Sequence, residues 1–452
     1  MASIGERATH GRRRGVISTI APSPLEINLI WVGTDDGLVH VTRDGGKTWS
    51  NVTPPSVVPW ATVALMEASH FAVGTAYAAV NASRLDDQRP HIYRTRDGGQ
   101  TWIEIMRGIP VGGVVNVVRE DTRRRGLLFA GTEHAVHVSF DDGDDWHSLR
   151  LNMPATSIRD LVIKDDDLVI GTHGRSFWIL DDITPLRQVG TRVAASDVHL
   201  YRPQDAWRVR SNMNTDAPLP PDEPAGDNPP DGAVINYWLK AAVASVVIEI
   251  RDAGGRVVRR YTSEEKSEPA RDEGNVPRYW VRPPRPPAKT AGMHRVVWDL
   301  RFAPPKADAF SFPIAATPGN TPRVPAGPWA MPGGYTVRLT GGGQTLTQSL
   351  LVRMDPRVKT VSSGLDQQFK LSMRLYGAMN RTYDLIRATT GVAGSAAATS
   401  GSRSEALERA RELHHQLNDI YNLIQGADVA PSTQAVRQAE ELVQEAEALG
   451  DL

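Results

Sequence analysis

TRDGGKTW at 42–49, TRDGGQTW at 95–102 and SFDDGDDW at 139–146 are three versions of one phrase. Each has the pattern Ser/Thr-x-Asp-x-Gly-x-(Thr/Asp)-Trp, and the aspartates Asp44, Asp97 and Asp141 lie 53 and 44 residues apart. A repeat of about 40–50 residues with strand-like flanks is typical of a β-propeller that has one blade per repeat. The sequence therefore predicts a mainly β fold made of repeated small sheets.

The residue types within the phrase suit a tight hairpin turn between the third and fourth strands of a blade. The aspartate can accept hydrogen bonds from backbone amides, the glycine can adopt positive φ, and the tryptophan can pack back over the turn. We therefore expect the phrase to be structural. Its residues are Asp44, Gly46, Trp49, Asp97, Gly99, Trp102, Asp141, Gly143 and Trp146.

The phrase resembles the Asp-box, or BNR repeat, of the bacterial "glycosyl hydrolase, BNR repeat" family and of sortilin-type propellers. The resemblance extends over roughly residues 10–355, and its most specific stretch is DLVIKDDDLVIGTHGRSFWILDDITPL at 160–186. It implies a propeller. It says little about activity, because this turn is structural wherever it occurs.

Composition excludes several classes of protein. The 452 residues have a formal net charge of −1, which argues against a dedicated nucleic-acid binder, and the chain has no cysteine for disulfides or thiolate metal sites. We expect no cofactor, no metal and no membrane span, since no apolar run is long enough. We also find no signal peptide. Because the resembling family is exported, we expect an extracellular or periplasmic location for an intact parent protein.

The chain divides into four segments by pattern. Residues 1–210 contain about four blades, the last without an Asp-box, and we expect them to form part of a larger ring. A true four-bladed ring, or a ring completed by a second copy, remains an alternative. Residues 211–232 are a proline-rich linker.

Alternating apolar residues in 233–356 predict a β-sandwich, and this segment resembles Ig-like domains of the hook-capping type. In 357–452 apolar residues recur at three- and four-residue steps, which predicts a helical hairpin and a last helix. Self-association through the propeller edge or these C-terminal helices is a further expectation.

Turns between the second and third strands of successive blades should share one face of a propeller. These turns carry Asp35 and Asp36, Glu133 and His134, and His173 and Arg175, with Trp60 and the loop 81–91 at the rim. Glycoside cleavage requires paired carboxylates, so Asp36 and Glu133 are the candidate catalytic pair, and Trp60 can stack on a sugar ring. The alternative interpretation is that these residues serve only turn formation and solvation.

The function that the sortilin-type resemblance implies is binding of a glycan or an extended peptide on this face. The alternative is a sialidase- or xyloglucanase-like glycoside hydrolase, as the family's usual label implies. The Arg-Ile-Pro opening of sialidases does not occur in the sequence.

Overall fold

The computed structural model describes residues 15–210, 222–223, 226, 228–266, 276–277, 280, 285–307, 310–312, 323–393 and 401–450. The chain separates into two compact units, Met1–Val193 and Ala194–Leu452. The predicted linker at 211–232 lies largely outside the described residues.

The first unit contains four antiparallel sheets, each a simple meander, which we call blades 1 to 4. Blade 1 consists of β1 (Ile17–Pro22), β2 (Ile30–Thr34), β3 (Val39–Thr42) and β4 (Ser50–Asn51). Blade 2 consists of β5 (Thr62–Ala68), β6 (Ala76–Asn81), β7 (Ile92–Thr95) and β8 (Ile103–Glu104). Blade 3 consists of β9 (Val115–Glu120), β10 (Leu128–Thr132), β11 (Val136–Ser139) and β12 (His147–Ser148). Blade 4 has three strands, β13 (Ile158–Lys164), β14 (Asp167–Thr172) and β15 (Phe177–Leu180).

Short helices lie between and after these strands. Two 3₁₀ helices span Ser83–Leu85 and Leu186–Gln188, and α1 spans Thr191–Ala195. The strands occur where the sequence pattern predicted them, and the blade without an Asp-box is the three-stranded one. How many blades a complete ring would contain stays a prediction.

The apolar core of the first unit lies between blades rather than within them. One cluster joins blades 1 and 2 through residues such as Trp31, Val63 and Met66. A second joins blades 2 and 3, and a third joins blades 3 and 4 around Phe129 and Ile158. Both faces of blades 2 and 3 are therefore buried, which explains why their central strands are apolar at nearly every position.

Each Asp-box aspartate closes its own turn, as predicted. The amides of Thr48, Thr101 and Asp145 each donate to the aspartate four residues earlier at 2.9 Å. In blade 2, hydrogen bonds from the side chain and amide of Thr101 lower the pKa of Asp97 to about 2. The carboxylates are therefore held ionised by the turns they stabilise.

The tryptophans of the second and third boxes act differently from the prediction. Trp102 Nε1–H donates to the carbonyl of Val52 at 2.7 Å, and Trp146 Nε1–H donates to the carbonyl of Ile105 at 2.8 Å. Both acceptors follow the last strand of the preceding blade. The box thus connects two blades instead of only covering its own turn.

The glycines of the second and third boxes lie where two blades approach too closely for a side chain. Gly99 and Gly143 have φ near +91° and +92°, and an added Cβ would collide with Val52 or Ile105 of the preceding blade. At Gly46 of blade 1 the nearest atom to such a Cβ is 3.9 Å away, in Trp49 of the same turn. The close approach therefore belongs to the boundary between blades.

The second unit contains a sandwich of two sheets. The first sheet has the order β16 (Val198–Leu200), β18 (Ala233–Leu239) and β21 (Gly292–Trp298). The second has the order β17 (Ala206–Arg208), β23 (Gln344–Met354), β22 (Gly333–Gly341), β19 (Val246–Arg251) and β20 (Val257–Thr262). Their facing residues, including Tyr237, Ile248 and Trp298, form one buried cluster. The Ig-like assignment stays a prediction.

The boundary predicted at residue 210 differs from the structure. β16 pairs with β18, and β17 pairs in parallel with β23, so residues 194–210 belong to the sandwich unit and not to the blades. Pairing with strands more than 30 residues away leaves no local sequence signal, which is why the pattern did not reveal it.

Three long helices follow the sandwich. They are α2 (Ser362–Ala393), α3 (Gly401–Gln425) and α4 (Thr433–Gly450). Leu375, Leu417 and Val443 are among the residues that form their common apolar core. The predicted hairpin and last helix therefore pack as a three-helix bundle. Within the ranges given above, no helix is long and apolar enough to cross a membrane.

The connection between blades generates the first prediction. Trp146→Phe removes the indole N–H, leaves the Ile105 carbonyl unpaired and should reduce the free energy of unfolding by about 1–3 kcal/mol. Trp102→Phe should act in the same direction. The matched control is Trp49→Phe in blade 1, which should cost less than half as much in a urea titration. Equal losses in all three variants would show that the tryptophans act only on their own turns.

Candidate functional site

The candidate residues lie in turns at one end of the blades. Asp35 and Asp36 follow β2, Glu133 and His134 follow β10, and His173 and Arg175 follow β14. In a meander these second-to-third-strand turns lie at the opposite end of the sheet from the Asp-boxes. We call this end the turn face.

In blade 1 the two aspartates are engaged locally. The amide of Val16 donates to Asp35 Oδ1 at 2.6 Å, and Thr34 Oγ1 donates to Asp36 Oδ1. The amide of Trp60 donates to the carbonyl of Asp36 at 2.9 Å, which brings this tryptophan beside the turn. Trp60 is 38% exposed, and its backbone φ is 71°. This hydrogen bond joins the backbones of Asp36 and Trp60.

Glu133 lies in a hydrogen-bonded row that crosses three blades. Asn81 of blade 2 donates to Asn116 Oδ1 of blade 3 at 2.9 Å, and Asn116 Nδ2 donates to Glu133 Oε1 at 2.9 Å and to the carbonyl of Ile158 of blade 4 at 3.0 Å. Arg159 of blade 4 forms an ion pair with Glu133 at 3.2 Å. We call Asn81, Asn116, Glu133 and Arg159 the polar row.

The polar row fixes the charge of Glu133. Partial burial acts to raise the pKa of this carboxyl, but the hydrogen bond from Asn116 and the positive charge of Arg159 outweigh it and lower the pKa below its ordinary value. Glu133 is therefore a carboxylate at neutral pH, able to accept hydrogen bonds and not to donate a proton.

The remaining turn residues are less constrained. The amide of His134 donates to Thr132 Oγ1 at 3.2 Å, and the amide of His173 donates to the carbonyl of Ser157 at 2.9 Å. The amide of Arg175 donates to Thr172 Oγ1 at 3.1 Å. The side chains of all three are exposed.

In the rim loop 81–91, Asp87 pairs with Arg89 at 2.6 Å and with His91 at 3.0 Å. The hydrogen bond from Arg89 is the main cause of the lowered pKa of Asp87.

Among the described residues, no hydrogen bond or ion pair joins Asp36 to Glu133. Each has its own partners, and the pairing of these two carboxylates stays a prediction. Asn81, Asn116 and Arg159 were not singled out from the sequence. An asparagine at the second position of β9 is the one available signal, since a buried amide in an apolar strand needs partners.

A second polar cluster lies at the Asp-box end of blades 2 and 3. Glu120 is buried and accepts a hydrogen bond from the His70 amide at 2.8 Å, while Arg119 donates to Glu67 at 2.9 Å. The imidazole of His70 lies 3.6 Å from Glu67. Burial raises the pKa of Glu120, and the Glu67 carboxylate raises the pKa of His70. The cluster connects the ends of two blades.

In the second unit, an open groove of about 610 Å³ lies where the sandwich meets the helices. Its lining includes Arg210, Lys359 and Asp428. Asp428 also pairs with Arg208, and both side chains are almost fully buried. The opposing groups neutralise each other, which is the pattern of a structural anchor. In the described part of the chain, no group of three His, Cys, Asp or Glu residues could hold a metal ion.

No family model matches the chain, and no curated protein matches it. Similar solved structures include YCF48 bound to D1 peptide, with 18% identity over 37% of this chain and 52% of the other, at a TM-score of 0.30. They also include the GH74 xyloglucanase from Xanthomonas campestris, with 12% identity over 55% of this chain and 36% of the other, at a TM-score of 0.31.

An ancestral GH74 enzyme is similar at 15% identity over 74% of this chain and 40% of the other, with a TM-score of 0.30. These neighbours are β-propeller proteins, and this chain spans about half the length of the YCF48 structure. At such identities and TM-scores the likeness says nothing about a ligand or reaction of this chain.

The polar cluster at the Asp-box end generates a prediction about pH. The folded-state pKa of His70 is raised, so its stabilising contribution is complete below its unfolded pKa of about 6.5 and is lost as pH rises through the folded value. His70→Gln should therefore lower the Tm by about 2–4 °C at pH 5 and by much less at pH 9.

His147→Gln is the control, because His147 is exposed on the outer strand of blade 3. Thermal unfolding followed by circular dichroism measures both variants. A loss that is the same at both pH values would mean that the His70 charge makes no contribution.

Proposed function

We propose that this chain is a binding protein whose turn face takes a glycan or an extended peptide. The polar row carries the proposal, because it places an ionised carboxylate, side-chain amides and an arginine across three consecutive blades. A ligand lying across the blades would meet Glu133 and Arg159, whose side chains are 29% and 49% exposed, while the buried Asn116 holds Glu133 in place. The part-exposed Trp60 beside Asp36 adds an aromatic surface at the rim, which favours a sugar ring.

The charge of Glu133 suits ligand recognition and argues against one catalytic role, that of the acid. A glycoside hydrolase needs one carboxyl with a raised pKa that protonates the leaving group. Glu133 has the opposite shift, which argues against the acid role and is compatible with that of a base or nucleophile, and its nearest partners are an amide and a guanidinium. A fixed carboxylate of this kind suits the recognition of sugar hydroxyls or peptide amides.

The glycoside hydrolase stays the alternative function, with Asp36 and Glu133 as the candidate catalytic pair. An extracellular or periplasmic location also remains a prediction.

The proposal predicts a loss of affinity in Glu133→Gln. The full chain is first screened on glycan and extended-peptide arrays, and the best probe is then titrated by calorimetry. Loss of a charge-assisted hydrogen bond should weaken binding about tenfold or more. The matched control is Glu26→Gln, since Glu26 is exposed in the turn between β1 and β2, at the Asp-box end of blade 1.

Affinities that are equal in Glu133→Gln and in the parent would place the ligand elsewhere. Hydrolysis of an arrayed glycan by the parent, with loss of that activity in the double variant Asp36→Asn/Glu133→Gln, would establish the hydrolase instead.

A further inference from the structure

The packing between blades follows one repeated rule. In blades 2, 3 and 4 the first strand carries an apolar residue opposite an apolar residue near the end of the second strand. The pairs are Met66 opposite Ala78, Val118 opposite Ala130 and Leu161 opposite Ile170. All three are buried against the preceding blade. We call this side of a blade its leading face.

The other side of each blade receives the next one. In blades 1, 2 and 3 the first apolar residue of the third strand lies opposite the next residue of the second strand, which faces the other side. The pairs are Val39 opposite Gly33, Ile92 opposite Ala79 and Val136 opposite Gly131. Each is fully buried. An added Cβ at Gly33 would collide with Val63 of blade 2, and one at Gly131 with Ile158 of blade 4. We call this side the trailing face.

Blade 4 has a trailing face of the same design, but it is open. Phe177 lies opposite Gly171, in the register of Val136 opposite Gly131, and is 80% exposed. Ile179, two residues further along β15, is 58% exposed. The three atoms nearest to an added Cβ at Gly171 all belong to Asp160 and Phe177 of the same blade.

Blade 1 has the corresponding open leading face. Ile20 lies opposite Val32, in the register of Met66 opposite Ala78, and is 62% exposed where Met66 is buried. Val16, just before β1, is also exposed. The two end faces thus carry the two halves of a contact that the chain already makes three times between its own blades.

We propose that two copies of this chain associate head to tail. The trailing face of blade 4 in each copy packs on the leading face of blade 1 in the other, so that the same contact forms twice. A second copy is the occupant that fits, because the partner of a trailing face throughout this chain is a leading face of the same repeat. Such a head-to-tail contact gives a closed ring when the rotation that relates one copy to the next returns to the first copy. Two sets of four blades give eight, which is within the range of known propellers, whereas three sets would exceed it.

The test is sedimentation velocity of the full chain over a concentration series. The parent should form a dimer that dissociates on dilution. Ile20→Asp and Phe177→Asp each place a charge in both contacts of a dimer and should raise its dissociation constant by about 30-fold or more. Ile103→Asp is the matched control, because Ile103 is comparably exposed on the outer strand of blade 2 and should leave the dimer intact.

Mixing the two variants tests the direction of the contact. The Ile20→Asp copy retains Phe177 and the Phe177→Asp copy retains Ile20, so an equimolar mixture has one intact contact and should regain a dimer. A parent that is monomeric at about 100 µM, a Phe177→Asp variant that stays dimeric, or a mixture that stays monomeric would each overturn the proposal.

A cross-linking experiment reads out the same contact without destabilising it. The chain has no cysteine, so Ile20→Cys and Phe177→Cys variants introduce the only thiols. Under mild oxidation, the mixture of the two should yield a disulfide-linked species of twice the chain mass, and each variant alone should yield much less. Equal cross-linking of either variant alone would contradict a head-to-tail arrangement.

Discussion

A blade with apolar residues on both faces cannot bury them by itself, and most features of the first unit follow from this constraint. Its sheets have only three or four short strands, and each apolar cluster is shared between neighbouring blades. Stability in such an array is approximately a sum of repeat and nearest-neighbour contributions. The Asp-box strengthens the nearest-neighbour contribution, because Trp102 and Trp146 donate to the blade before them.

The candidate site depends on the same contacts. Asn116 is a nearly buried residue whose amide bonds to blades 2, 3 and 4 at once, so the position of Glu133 is determined by how the blades pack. A carboxylate held in this way is preorganised, which reduces the entropy lost on binding a ligand. The geometry of the turn face therefore depends on the contacts between blades.

Much of the fold could be predicted because its signals are local. The Asp-box requires a carboxylate, a glycine with positive φ and an aromatic residue within eight positions, and the strands between boxes show ordinary apolar patterns. The hydrogen-bond acceptor of the Trp146 indole and the pairing of β17 with β23 depend on residues far away in sequence. The sequence pattern therefore did not predict them. The partners of Glu133 were missed because one asparagine in a strand has no distinctive spacing, and the role of the turn residues stays a prediction.

The central claim is that the Asp-box connects two blades. Hydrogen–deuterium exchange of the Trp102→Phe variant tests it most directly, since exchange reports local opening of each strand. The account predicts that amides of β3 and β4 in blade 1 lose protection together with those of the turn at 95–102. Loss of protection confined to residues 95–102, with blade 1 unchanged, would contradict it.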